Sequence, residues 1–197
     1  MRTVFFAFAL IVVWTLSAGA AAEAEEPPMK ESHIPPDRYA SDPTDRIVHK
    51  EVTVTAPREE VWRAWTTTEG VNTFFSPDAH VELRAGGPYE IYFIPSAPYG
   101  ERGSEGCRVL SYLPMEMFSF EWNAPPSFGD LRGIHTWVVL RLDELGDGRV
   151  RVRLDHLGWG EGEDWAALSD YFDKAWSYVL GNLEKRFREG PISWGEE

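Results

Sequence analysis

The sequence predicts an α+β domain in which a curved antiparallel sheet wraps around one long C-terminal helix. In several consecutive segments apolar and polar residues alternate, and short turn sequences separate these segments, which is typical of antiparallel strands. Residues 164–189 instead carry apolar side chains at steps of three and four, which places one apolar stripe along a helix that ends before Gly190 and Pro191. Because this stripe must be covered, we expect it to lie on the concave side of the strands.

The order of elements follows from the same periodicities. A first strand is predicted at residues 47–55, where valines alternate with polar residues. Pro57 suits the first turn of a helix, so a short helix is expected from there to residue 65, with a second at residues 68–75. Six further strands are predicted at residues 79–84, 89–94, 104–113, 115–122, 134–142 and 149–157. Their connections contain Gly and Pro and are too short for crossover helices, which predicts a six- to seven-stranded antiparallel sheet.

The N-terminal residues 1–22 have the three parts of a secretory signal peptide. Arg2 supplies the positive charge, an apolar block follows, and small residues provide A-x-A sites for cleavage after Ala20 or Ala22. The sequence therefore predicts an exported protein, periplasmic or secreted. An uncleaved membrane anchor is the alternative, because the uncharged stretch 3–22 has about the 20 residues that span a bilayer.

The next segment, residues 23–45, is predicted to be a disordered linker. It contains five prolines among acidic residues, and a chain with so few apolar side chains cannot offset the entropy of ordering. The folded domain is expected at residues 46–190, with a short tail at 191–197.

Composition limits the partners of this domain. The 32 acidic and 19 basic residues give a net charge of −13, without a basic cluster that would favour nucleic acid or an anionic membrane surface. Cys107 is the one cysteine, so it can form no disulfide within the chain, and we interpret it as a buried apolar residue. The histidines lack metal-ligand spacing and no phosphate-binding or dinucleotide motif occurs, so neither a metal nor a cofactor is expected.

Several short motifs, in order along the chain, resemble those of the START-like (SRPBCC) superfamily. Within it the sequence is most similar to homologues of the activator of the heat-shock protein 90 ATPase, over about residues 46–189. The motifs are residues 54–65, Phe74-Phe75, Gly86-Gly87-Pro88-Tyr89, 106–110, 118–122, 155–159, and a last helix with Trp176 and Leu183. The resemblance implies a helix-grip fold: the predicted sheet and long helix would enclose a deep, mostly apolar cavity.

Strand alternation predicts which side chains would line that cavity. In the strand at 89–94, Glu90 should face water, which places Tyr89, Ile91 and Phe93 inside. The same reasoning for the other elements gives the full set of candidate ligand-binding residues: Phe74, Phe75, Tyr89, Ile91, Phe93, Phe118, Phe120, Trp122, Val138, Leu140, Leu154, His156, Phe172 and Trp176. Plain core packing is the alternative interpretation of every aromatic residue in this set.

Three functions are compatible with such a domain. The favoured one is binding of a small hydrophobic or aromatic molecule in the cavity. The second is an enzyme of the polyketide cyclase or hydrolase type, with His156, Tyr89 and Tyr92 as candidate acid–base residues; a hydrogen-bonded structural role is the alternative for His156. The third is a co-chaperone-like module that binds a protein partner, which export disfavours because an ATP-driven client would occupy another compartment.

Overall fold

The computed structural model describes residues 38–195. The elements in chain order are β1 (Val48–Thr55), α1 (Arg58–Thr66), α2 (Thr68–Val71), β2 (Asp78–Val81), β3 (Tyr89–Tyr92), β4 (Val109–Leu113), β5 (Met117–Trp122), a 3₁₀ segment (Pro126–Gly133), β6 (Thr136–Gly146), β7 (Arg149–Leu157) and α3 (Glu163–Glu189). The predicted fold class is confirmed, since an antiparallel sheet packs against the long helix α3 and two short helices follow the first strand.

The strands are divided between two sheets, where a continuous one was predicted. Five strands pair antiparallel in the order β1-β7-β6-β5-β4, and β2 pairs with β3. The division arises because residues 104–108 form a loop instead of the predicted start of β4. Gly106 has a φ of 78° there, and the Ser104 hydroxyl accepts a hydrogen bond from the Ile91 amide at 2.8 Å. Isolated backbone bonds, such as Tyr89 N–H to Cys107 O at 2.9 Å, bridge the two sheets.

Helix α3 packs its apolar stripe on the concave face of the large sheet, as predicted. Its buried apolar residues are Trp165, Leu168, Phe172, Trp176, Val179, Leu180 and Leu183. Two polar contacts hold the helix beside β1. Lys50 Nζ lies 2.8 Å from Asp173 Oδ1, and Arg46 Nη1 donates to Ser169 Oγ at 2.6 Å.

The folded part begins earlier than the predicted start near Arg46. Residues 38–45 fall within the predicted linker, yet they lie against the domain: Tyr39 pairs with His135, and the Thr44 amide donates to the Trp159 carbonyl at 2.7 Å. The reason is that Arg38 and Tyr39 donate hydrogen bonds to the buried carboxylate of Glu121. The proline and acidic content of the segment does not indicate these distant contacts. At the other end, Trp194 Nε1 donates to the Asn72 carbonyl at 2.6 Å, so the tail contacts α2.

The signal-peptide prediction at residues 1–22 and the rest of the linker lie outside the described residues, so export stays a prediction. Within residues 38–195, no helix is both long and apolar enough to cross a membrane.

Candidate functional site

The interior between α3 and the sheet is lined with aromatic rings. Phe75, from the turn after α2, stacks on Trp122 of β5 with 5.6 Å between centroids and 18° between planes. Trp176 of α3 lies 5.2 Å from Trp122 and 5.8 Å from Phe75, and Phe172 stacks on it one helical turn away at 6.3 Å. These four rings are almost wholly buried. They fill the space between helix and sheet, so a molecule that enters there has to displace a ring.

A second group of rings lies deeper, toward α1. Tyr89 of β3 contacts Phe118 and Phe120 of β5 at 5.1 and 4.3 Å between centroids. Phe120 connects this group to the first one through Trp122, at 5.8 Å.

The structure brings all but one of the predicted cavity residues into this interior. Those that are buried as predicted are Phe74, Phe75, Tyr89, Ile91, Phe118, Phe120, Trp122, Val138, Leu140, Leu154, His156, Phe172 and Trp176. Their contact with a ligand stays a prediction.

Phe93 is the correction to the predicted set, because its side chain is 45% exposed. The inward direction was inferred from strand alternation, but β3 ends at Tyr92, so the alternation does not extend to Phe93. Its ring still contacts Phe75 at 5.8 Å and Trp122 at 6.4 Å. The aromatic interior therefore reaches the protein surface at Phe93.

His156 is fully buried and both of its ring nitrogens are engaged. Trp176 Nε1 donates to Nδ1 at 2.9 Å, and Nε2 lies 2.7 Å from the hydroxyl of Thr136. Since that hydroxyl donates its own proton to the Trp122 carbonyl at 3.1 Å, His156 must carry its proton on Nε2. Burial lowers the pKa of His156 well below its usual value. The ring is thus a neutral residue with a structural role, which connects α3 to the sheet through hydrogen bonds.

The two candidate tyrosines are likewise poorly suited to proton transfer. Tyr89 donates its hydroxyl to the Trp65 carbonyl at 3.1 Å, and complete burial raises its pKa well above the usual value. Tyr92 donates to the Glu90 carboxylate at 2.6 Å, and burial together with that carboxylate raises its pKa. Neither hydroxyl ionises near neutral pH.

The outer face of β5 carries a buried carboxylate that the sequence analysis missed. Glu121 is 3% exposed and receives two hydrogen bonds from Arg38, at 2.7 and 2.5 Å. Tyr39 donates to the same carboxylate, and His135 Nδ1 lies 3.5 Å away. Burial alone would raise the pKa of Glu121, but the hydrogen bonds from Arg38 and Tyr39, with His135 nearby, outweigh it and lower the pKa to about 2. Alternation did place Glu121 on the outer face, but no local signal indicates that residues 38 and 39 cover it.

A second buried carboxylate fixes the loops beside Phe93. Glu105 accepts from the Gly100 and Arg102 amides at 2.8 and 3.1 Å and from Arg132 Nη2 at 3.0 Å. Burial would raise the pKa of Glu105, but the backbone hydrogen bonds lower it overall. Arg132 belongs to the 3₁₀ segment, so this contact joins the β3–β4 loop to the β5–β6 connection.

Metal ligands do not converge in the part of the chain that the structure covers: residues 38–195 contain no group of three or more His, Cys, Asp or Glu side chains placed to hold an ion.

Comparison with known proteins agrees with this architecture. A family model described as Activator of Hsp90 ATPase homolog 1-like protein matches residues 55–188. No curated protein matches the chain.

Solved structures share the fold at low identity. A protein from Mesorhizobium loti is 21% identical, with a TM-score of 0.56 over 75% of this chain and 100% of its own. An AHSA1-like protein from Rhizobium etli is 20% identical, with a TM-score of 0.54 over 77% of this chain and 90% of its own. CalU16 from Micromonospora echinospora is 23% identical, with a TM-score of 0.52 over 74% of this chain and 75% of its own.

Proposed function

Since the chain belongs to the family of Activator of Hsp90 ATPase homolog 1-like proteins, with the START-like fold, we propose that it binds a small hydrophobic or aromatic molecule between α3 and the sheet. The observation that carries this proposal is the continuous series of rings from half-exposed Phe93 through Phe75 to buried Trp176. Aromatic rings of a ligand gain both apolar burial and ring stacking in such surroundings.

Phe93 is the side chain that a ligand would displace first. It lies just beyond the last residue of β3 and is the one exposed member of the predicted set, so its rotation breaks no strand pairing. A molecule in its place would stand against Phe75 and Trp122, whose rings are stacked at 5.6 Å. The bond between Arg132 and Glu105 holds the neighbouring loops in place while the ring moves.

Binding fits this interior better than acid–base catalysis. Every polar atom of the His156 ring already has a partner, and the Tyr89 hydroxyl is occupied as well. A reaction of the cyclase or hydrolase type would need a group free to exchange a proton with the substrate.

The proposal is tested by a search for a bound molecule and by removal of the Phe93 ring. The purified protein is analysed by native mass spectrometry for a retained small molecule, and then titrated with 2-naphthol, a neutral aromatic compound. We expect 2-naphthol to raise the melting temperature and Phe93→Ala to speed its association severalfold. Tyr99→Ala is the matched control: Tyr99 is 78% exposed in the same loop, and its loss should leave the rate unchanged. If nothing is retained and 2-naphthol has no effect on melting, the interior is only a core and the proposal fails.

A second candidate function is binding of a protein partner, as the name of the family suggests. The filled interior favours it, as do Tyr171 and Tyr178 on the outer face of α3, which are 45% and 68% exposed. Large apolar side chains exposed together are typical of interaction surfaces. Loss of a partner on Tyr178→Ala, without loss of 2-naphthol binding, would assign the function to this surface.

We also propose that the domain acts after export, as the sequence of residues 1–22 predicts. Expression of the full chain should yield a mature protein whose mass corresponds to cleavage after Ala20 or Ala22. Recovery of the uncleaved chain in the membrane fraction would instead support the anchor.

A further inference from the structure

A groove on the outside of the molecule is built by the segment that precedes β1. This segment is fixed at two points. Arg38 bonds to Glu121 and accepts at its carbonyl from the His135 amide at 2.6 Å, while the Thr44 amide donates to the Trp159 carbonyl at 2.7 Å. Residues 40–43 lie between these points, and we call them the strap; Ala40, Ser41 and Asp42 of the strap border an open space of about 490 Å³. The space is open to solvent on its outer side, so a molecule there would be only partly covered.

The walls of the groove combine apolar and aromatic side chains with polar ones. Tyr39 and Ala40 form one side, and Ile134, Gly160 and Trp165 form the other. The Tyr39 ring is held edge-on against Trp137 at 6.0 Å, and its hydroxyl is anchored on Glu121. The Tyr39 wall is therefore fixed before any ligand arrives.

Trp165 presents an unused hydrogen-bond donor in this groove. Its side chain is only 9% exposed, yet within residues 38–195 its indole N–H has no acceptor. The nitrogen lies against Gly160, where an added Cβ would come within 2.5 Å of it. Glycine at position 160 thus leaves the N–H open to the groove, where it can donate to an acceptor on a ligand.

The rim of the groove is negative and uncompensated. Asp42 and Glu161 are both exposed groove residues, and in the described part of the chain neither forms an ion pair. The two arginines of the adjoining segment are engaged elsewhere, Arg38 with Glu121 and Arg46 with Ser169. Carboxylates without partners beside aromatic faces attract organic cations by both ion pairing and cation–π contact.

We propose that this groove is a second binding site, which takes a small organic ammonium compound with an apolar body and one oxygen acceptor. The ammonium group lies between Asp42 and Glu161, the body packs against Tyr39 and Trp165, and the oxygen accepts from the Trp165 indole N–H. The site is separate from the helix–sheet interior and does not depend on the function proposed for it.

Tyramine tests the proposal, because it joins an ammonium group to a hydroxylated ring. Two compounds with closely similar bodies serve as controls: 4-propylphenol is neutral, and 3-(4-hydroxyphenyl)propionate is an anion. Calorimetric titration of the mature protein should show tyramine binding about tenfold more tightly than 4-propylphenol, and the anion most weakly. Raising the salt concentration should weaken tyramine binding, since the rim charges are exposed.

Variants locate the effect on the protein. Asp42→Asn and Glu161→Gln should each weaken tyramine binding severalfold and leave 4-propylphenol binding unchanged. Asp45→Asn is the matched control, because Asp45 is an exposed carboxylate of the same segment that does not line the groove. In NMR spectra the Trp165 indole N–H, assigned by its absence in Trp165→Phe, should shift on tyramine addition.

Two results would overturn the proposal. Equal affinities for tyramine and 4-propylphenol would remove the role of the carboxylates. If Asp45→Asn weakened tyramine binding as much as the two groove variants, the preference for the cation would come from the overall negative charge of the protein and not from the groove.

Discussion

His156 shows how a titratable residue becomes a structural one. Trp176 and Thr136 bind its two nitrogens, and the ring has no exposed surface. Protonation of Nδ1 would break the bond from the indole N–H and place a charge in an aromatic interior. The folded protein therefore keeps the ring neutral at pH values where an exposed histidine is charged.

This arrangement predicts a pH-dependent stability. In the unfolded chain His156 binds a proton below about pH 6.5, whereas in the folded protein its pKa is lowered. The contribution of His156 to the free energy of unfolding should thus be complete above pH 6.5. Below that pH it should fall by about 1.4 kcal/mol per pH unit. Urea unfolding between pH 7.5 and 5 measures the slope.

The contribution of His156 is isolated by two substitutions. His156→Gln should lower stability at pH 7 by about 1–3 kcal/mol, because partners lose their bonds, and should remove this part of the slope. His80→Gln changes an exposed histidine and should retain the slope. An unaltered slope in His156→Gln would show that the ring is accessible to protons.

At the scale of elements, α3 combines two kinds of surface along one helix. Its inner side contributes Phe172 and Trp176 to the ring cluster, and its outer side exposes Tyr171 and Tyr178. The helical period of 3.6 residues separates the two sets. Trp176 packs against Trp122 of β5 and donates to His156 of β7. One side chain thus joins the helix to both strands.

Removal of the Trp176 side chain should open a void that a ligand can refill. Trp176→Ala is expected to lower the free energy of unfolding by about 3–5 kcal/mol, because a large buried ring is lost. Indole, which restores that ring, should recover part of the loss in a melting experiment. Tyr178→Ala on the exposed side of the same helix should cost less than about 0.5 kcal/mol and show no response to indole. Absence of rescue in a folded Trp176→Ala protein would mean that the neighbouring rings collapse into the void.

At the scale of the whole molecule, the two sheets and the N-terminal segment close over Cys107. The thiol has no exposed surface and lies in the loop that bridges β3 and β4. Burial raises its pKa well above the usual value, with a smaller contribution from Glu121. Its reaction with a reagent therefore requires the surrounding structure to open.

Cys107 is consequently a probe of global opening. Because the chain has no other cysteine, labelling by a water-soluble disulfide reagent should be at least about a thousandfold slower in the native protein than in guanidinium chloride. Glu121→Gln, which weakens the attachment of Arg38 and Tyr39, should speed native labelling. Glu116→Gln, an exposed carboxylate before β5, is the control and should not. Rapid labelling of the native wild-type protein would contradict the closed arrangement.

The inward direction of most of the predicted residues could be read from local periodicity. Tyr89 and Ile91 alternate with Glu90, and Phe172 and Trp176 are one helical turn apart, so each faces inward whatever the exact packing. The prediction for Phe93 was wrong because the end of a strand depends on where its pairing with another segment stops. Glu121 was placed on the correct face, but its burial depends on Arg38, which is 83 residues away.

The amino-acid sequence by itself determined the order of the elements, the inward faces of strands and helix, and the family. These properties depend on periodicity and turn chemistry within short windows of chain. Only the tertiary structure decided the division into two sheets, the neutral state of His156, the filled interior and the groove beneath the strap. Each of these arises from contacts between residues distant in sequence, whose hydrogen bonds and packing no local pattern encodes.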